Sequence, residues 1–211
     1  DLRDPWRVDL VLDYLGASRE RRRALVPGPF KIRMWIDRVL EAWMMRRVDR
    51  LLVTNEETRS LYVAAYPHLR GRVVRIYNGF NDHLLRDEPE ESTGKFTVGY
   101  VGNYYYEYDP SDLVFRALAG LIHSGAIPAD RVEFLWVGPA PKWLRSRIET
   151  LGLQPVFRAT GHVRREEAAR QLRRTSVLVV RIVRPCLSTK LFEGMAAGVP
   201  ILATIEEGEA E

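Results

Sequence analysis

Apolar residues in this chain recur in two rhythms that alternate from about residue 50 onward. Short runs such as Arg50 to Thr54, Val73 to Tyr77, Phe96 to Val101, Arg131 to Val137 and Val177 to Val183 have the length and β-branched content of strands. Between them lie stretches with apolar residues three and four apart, which read as helices: Asn55 to Tyr66, Pro110 to Ser124, Lys142 to Gly152 and Glu166 to Arg174. Val156 to Thr160 reads as a further strand. An earlier helix is expected over Phe30 to Arg47, with Ile32, Trp35, Ile36, Val39, Leu40 and Trp43 along one side and Arg33, Asp37, Arg38 and Glu41 on the other. Two placements of that apolar side are open: packed within its own domain, or resting on an anionic membrane surface. Asn78-Gly79 predicts a tight turn. Strands alternating with helices imply right-handed crossovers and a parallel sheet covered on both faces.

The final strand–helix repeat is the most informative. In Lys190 to Thr204, Leu191, Met195 and Ala196 recur at helical spacing, Gly198 and Pro200 close the helix, and Ile201 to Ala203 reads as a strand. Ser188 and Thr189 are good N-cap residue types. Lys190 then stands in the first turn, where unpaired N–H groups and the helix dipole favour an anion such as a phosphate. Glu193, one turn in, can accept hydrogen bonds from sugar or ribose hydroxyls. On a parallel sheet ligands bind at the carboxyl ends of strands. The loops expected at that edge are Gly102–Asp109, Gly138–Pro141, Gly161–Val163 and Val183–Lys190.

Composition narrows the field. The chain has 211 residues, 46% hydrophobic, with a formal charge of +4, enough for one or two domains with their own cores. Residues 1–82 are expected to form part of a first domain, 83–95 an acidic linker, and 96–211 a second domain. The only lysines are Lys31, Lys95, Lys142 and Lys190, so a lysine at 190 stands out against an arginine-rich background. Acidic residues are interspersed with the basic ones and no basic stripe with interleaved aromatics is present, which argues against nucleic acid as a partner. Cys186 is the sole cysteine, consistent with a reducing cytoplasm. No stretch is long and apolar enough to span a membrane.

Other chemistries find little support. The dinucleotide fingerprint and the Gly-Lys-Ser/Thr phosphate loop are both missing. The four histidines (His68, His83, His123, His162) lack zinc spacing, and only His162 falls on the ligand-binding edge. Asp109-Pro-Ser-Asp112 reads as a helix start before it reads as a metal-binding carboxylate pair. Tyr104-Tyr-Tyr106 with Glu107 and Tyr108 has two readings, a stacking surface for a base or sugar and a cover for the sheet edge.

The run K-L-F-E-G-M-A-A-G-V-P-I-L-A (Lys190 to Ala203), together with Val74 to Asn81, Val137-Gly-Pro139 and Thr160-Gly-His-Val163, resembles glycosyltransferases of the GT-B type, family 4 and its group 1 relatives. The resemblance implies an α/β fold of Rossmann-like parallel sheets with helices on both faces, here with the first, acceptor-side domain incomplete. It implies that Gly102 and Asn103 face the donor diphosphate and sugar, that the Gly138 loop lines the donor site, and that the Val163 backbone meets the base. Ser188, Thr189 and Lys190 would hold the phosphates and Glu193 the ribose hydroxyls. The implied partners are a nucleotide-sugar donor and an acceptor of unknown kind, with retention of configuration and no cofactor or essential metal. An anionic membrane surface is a further candidate partner. Two departures stand out: Pro185 occupies the place of the first of two glutamates many relatives carry, and the tyrosine-rich loop replaces an Arg and a Lys. A nucleotide-sugar epimerase and a non-catalytic interaction or membrane-surface protein remain as alternatives. The first would require an acid–base pair beside the sugar, and none is evident.

Overall fold

The structure is a computed structural model that describes residues 28–80, 94–102, 111–182 and 188–205. The tyrosine-rich loop, Asn103, Asp109, Pro185, Cys186 and most of the acidic segment 83–95 lie outside the described residues. The chain divides into two compact units, one reaching Asn78 and the other comprising Gly79–Ile182 with Ser188–Ile205.

In the first unit, helix α1 (Gly28–Met45) is followed by strand β1 (Leu51–Val53), helix α2 (Glu56–Ala65), a 3-10 turn (Pro67–Leu69) and strand β2 (Val73–Arg75). β1 and β2 pair in parallel, Leu51 opposite Val73. Asn55 caps α2, its side chain accepting from the Thr58 N–H at 2.7 Å, as its residue type predicts. Met45, Leu51, Val53, Leu61, Tyr62 and Leu69 form the core of this unit.

The orientation of α1 departs from the sequence pattern. Ile32, Trp35, Ile36, Val39, Leu40 and Trp43 are exposed, with Trp35 at 66%, while Glu41 is fully buried. The reason is local hydrogen bonding. The Tyr66 hydroxyl donates to one Glu41 carboxylate oxygen at 2.8 Å and the Tyr62 hydroxyl to the other at 3.2 Å. A buried carboxylate is tolerated only when it is so satisfied. Glu41 and Met45 therefore define the inward face, and the expectation that the apolar side packs within its own unit does not hold. The turn expected at Asn78-Gly79 is also not formed: Gly79 lacks a positive φ, and the Ile76 N–H instead extends the strand pairing by donating to the Val53 carbonyl.

The second unit holds strands β3 (Phe96–Val101), β4 (Val132–Val137), β5 (Phe157–Ala159), β6 (Val177–Ile182) and β7 (Ile201–Ile205). They alternate with helices α3 (Ser111–His123), α4 (Lys142–Thr150), α5 (Arg165–Arg173) and α6 (Thr189–Ala196). All pairings are parallel and the strand order is β5-β4-β3-β6-β7. The sheet is covered on both sides, which is why its central strands are mostly apolar, with Thr97, Glu133 and Arg181 the polar side chains among them. On one face Phe115 and Leu118 of α3 and Leu144 and Ile148 of α4 pack against Val98, Phe134, Trp136 and Val179. On the other, Ala169 and Leu172 of α5 and Leu191 of α6 meet Leu178, Val180 and Ile201. The strand order reverses between β3 and β6, so the loops that leave their carboxyl ends flank a switch point.

Candidate donor site at the switch point

Helix α6 is stopped and started as its sequence dictates. The Ser188 side chain accepts from the Lys190 N–H at 3.3 Å, and Gly198 leaves the helix at φ +67°. Leu191 faces the sheet, but Met195, expected on the same apolar side, is 64% exposed. The inward position beside it belongs to Gly194, which is buried. A β-carbon there would stand 2.8 Å from Leu178 Cδ2 and 3.4 Å from Ile201 Cδ1. The missing side chain lets the helix lie close on the sheet.

That close seating brings Lys190 across the switch point. A β-carbon placed on Gly102, just past the end of β3, would stand 2.5 Å from Lys190 Cε and 3.0 Å from its Nζ. The ammonium group therefore lies over bare backbone. Gly102 has φ +120°, a conformation open to glycine and strained for other residues, and its N–H donates to the Val137 carbonyl at 2.8 Å. Gly138, at φ +145°, abuts it in turn, since a β-carbon there would be 2.6 Å from the Gly102 carbonyl oxygen. The Gly138 N–H donates to Thr160 Oγ1 at 3.2 Å, and that hydroxyl donates to the Gly161 carbonyl at 3.0 Å. Three loops are thus tied together: the one after β3 by Gly102, the one after β4 by Gly138, and the one after β5 by Thr160.

Among the residues singled out from sequence, Gly102, Gly138, Ser188 and Lys190 converge by these contacts. Thr189 is the exposed first residue of α6, and Val163 is half-buried in the loop leading to α5. Glu193 is half-buried one turn beyond Lys190. Its carboxyl titrates above the ordinary 4.5, because burial disfavours the charge by more than Lys190 and Arg165 favour it. Thr160 belongs to a passage that carried the resemblance, but its role as partner of the Gly138 N–H comes only from the fold. One contributor was not singled out from sequence. Arg165, at the start of α5, acts on Glu193 from a distant stretch of chain and is one arginine among many.

The raised pKa of Glu193 has a measurable consequence. Above its titration point the folded state carries a costly half-buried charge. As pH falls through that point toward 4.5, the folded state takes up the proton before the unfolded state does, so stability is gained. Melting temperatures of the parent chain and of Glu193→Gln, measured across this window, are expected to differ by an amount that changes with pH. A pH-independent difference would show that the carboxyl is not perturbed.

A family model for glycosyl transferases group 1 matches residues 95–211, more than half of the chain. The chain belongs to the glycosyl transferases group 1 family. The matched residues contain the whole of the second unit's described sheet and the Gly102–Lys190 contact. Among curated protein sequences none matches. Solved structures do, at the level of fold. WaaG, a glycosyltransferase involved in lipopolysaccharide biosynthesis, has a TM-score of 0.60 at 16% identity, over 73% of this chain and 44% of WaaG. HepE of Anabaena, solved with UDP and glucose, has a TM-score of 0.58 at 19% identity, over 74% of this chain and 44% of HepE. Sucrose-phosphate synthase from Thermosynechococcus elongatus has a TM-score of 0.58 at 20% identity, over 92% of this chain and 47% of that enzyme. The chain thus spans less than half the length of each of these three structures. Its fold is that of GT-B glycosyltransferases, represented here in part.

Proposed function

We propose that this chain is the donor-binding portion of a glycosyltransferase that moves a sugar from a nucleotide-sugar to a glycan, lipid or small-molecule acceptor. The observation that carries the proposal is the Lys190 ammonium lying over Gly102 at the switch point. When the bond between the anomeric carbon and the donor phosphate breaks, negative charge grows on the departing diphosphate. A cation fixed beside backbone stripped of side chains can stabilise that charge in advance. In this reading the N–H groups at the start of α6, with Ser188 and Thr189, share the phosphate oxygens, Glu193 accepts from ribose hydroxyls, and the Val163 backbone lies along the base. Asn103, beyond Gly102, would face the sugar.

The reaction is proposed to proceed without an essential metal or cofactor, since Lys190 and the helix terminus supply the charge a metal would otherwise bring, and with retention of configuration, as the family likeness suggests. That HepE was solved with UDP and glucose supports a nucleotide-sugar donor here. The single cysteine supports a reducing, cytoplasmic setting. Among the described residues no helix is long and apolar enough to cross a membrane.

The test is protection against thermal unfolding by UDP-, GDP- and ADP-sugars. One nucleotide class is expected to raise the melting temperature in a saturable way, because a ligand bound only by the folded state stabilises it by mass action. No shift with any of them at millimolar concentration would overturn the proposal.

A further inference from the structure

One hydroxyl that reaches no donor atom in the reading above joins two of the loops that would. Thr160 follows the last residue of β5, and its N–H donates to the Trp136 carbonyl at 2.9 Å, continuing the β4–β5 ladder. Its Oγ1 does two further things. It accepts from the Gly138 N–H at 3.2 Å and donates to the Gly161 carbonyl at 3.0 Å. A hydroxyl can do both at once, and an aliphatic side chain of the same shape can do neither. Gly138 is buried, so without the hydroxyl its N–H would have to find a new partner by moving.

The two segments joined in this way differ in how firmly they are held. The loop after β4 has supports of its own. Trp136, fully buried and stacked 4.2 Å from the Tyr100 ring, donates its indole N–H to the Pro139 carbonyl at 3.2 Å. Pro139 and Pro141 add preset φ angles and no N–H to satisfy. Residues 161–163 lack such props. Gly161 turns the chain at φ +71°, His162 is exposed and Val163 is half-buried before α5 begins. Among the described residues, the Thr160 hydroxyl makes the only side-chain hydrogen bonds that link this segment to the loop after β4.

The link runs between the two ends of the ligand. In the function proposed above, the Val163 backbone lies along the base. Gly138 abuts Gly102, over which the Lys190 ammonium waits for the diphosphate. The phosphate end keeps separate anchors, the Gly102 N–H on the Val137 carbonyl at 2.8 Å and the Ser188 cap of α6. Neither involves Thr160.

We propose that Thr160 is a positioning residue that sets the base-contacting backbone at its distance from the diphosphate, and so governs affinity for the nucleoside and not for the phosphates. The inference rests on the donor-binding reading and names a determinant within that site.

Dissociation constants for UDP, GDP, ADP and inorganic pyrophosphate are to be measured by calorimetry on the 211-residue chain, Thr160→Val and Thr160→Ser. Valine keeps the shape and removes both hydrogen bonds; serine keeps both. Thr160→Val is expected to raise the constant for the nucleotide that the parent binds about tenfold, and that for pyrophosphate less than about twofold. Thr160→Ser should bind both like the parent. Circular dichroism checks folding, and Thr160→Ala should show the same split if the valine variant does not fold. Equal losses for nucleotide and pyrophosphate would make Thr160 a general support of the fold and overturn the inference. A hydroxyl-free variant that binds the nucleotide like the parent would overturn it too, as would a loss that serine shares. A parent chain that binds none of the three nucleotides would bring down the donor-binding reading itself, and this inference with it.

Discussion

Lys190→Met is expected to raise the dissociation constant of the protecting nucleoside diphosphate roughly 10- to 100-fold, the equivalent of about 1.5–3 kcal/mol for a hydrogen bond to a charged group. Methionine keeps an unbranched stem over Gly102 and removes the ammonium nitrogen with its charge. The Coulomb attraction between an ammonium and a phosphate about 4 Å apart is on the order of 4 kcal/mol at an effective dielectric near 20, an upper bound for a half-buried lysine. The helix terminus alone is worth about 0.3–1 kcal/mol, so it cannot replace the lysine. Titration calorimetry of the two proteins checks this, and without ligand the variant should melt slightly below the parent at neutral pH, because Glu193 loses the Lys190 charge that partly offsets its burial. Equal affinities would remove Lys190 from the site.

Gly138→Ala is expected to damage the fold and the site together. Its β-carbon would stand 2.6 Å from the Gly102 carbonyl oxygen and 3.2 Å from the carbonyl carbon, both backbone atoms that cannot swing aside. The φ of +145° adds strain of about 1–3 kcal/mol, and the overpacking costs a further 1–3 kcal/mol or so. For a domain of this size that corresponds to a fall in melting temperature of roughly 4–20 °C. Displacing Gly102 also moves the backbone over which the Lys190 ammonium rests, so affinity for the diphosphate should fall in the protein that remains folded. Thermal melts with and without ligand read both effects. A variant that melts with the parent would show that the loops after β3 and β4 do not touch.

The sequence discloses the second unit well because its local and global signals agree. The apolar runs of β3, β4 and β6 are long enough to be strands and too short for helices, and Ser188, Gly198 and Pro200 punctuate α6 at both ends. Lys190 is legible for the same reason, a lysine in the first turn of a capped helix among arginines. The failures have a common cause, which is that periodicity records which residues share a side and not which way that side points. On α1 the apolar stripe is real, yet two tyrosines from α2 and the segment after it claim Glu41 and turn the stripe outward. On α6 the apolar side is offset by one position, because the residue nearest the sheet is a glycine that carries no hydropathic signal. Thr160 and Arg165 act through contacts between residues far apart in the chain, and no local pattern encodes those.

Gly194 gives the site an unusual kind of fragility. The residue lies on the far side of the helix from any ligand, yet the clearance it leaves sets how far the lysine's anchoring turn stands from the tip of β3. A β-carbon there would meet the tip of the Leu178 side chain at 2.8 Å, so that side chain must give way before alanine can be seated without moving the helix. The seating of the turn that carries Lys190 therefore depends partly on what lies beneath it, on an atom that is not there.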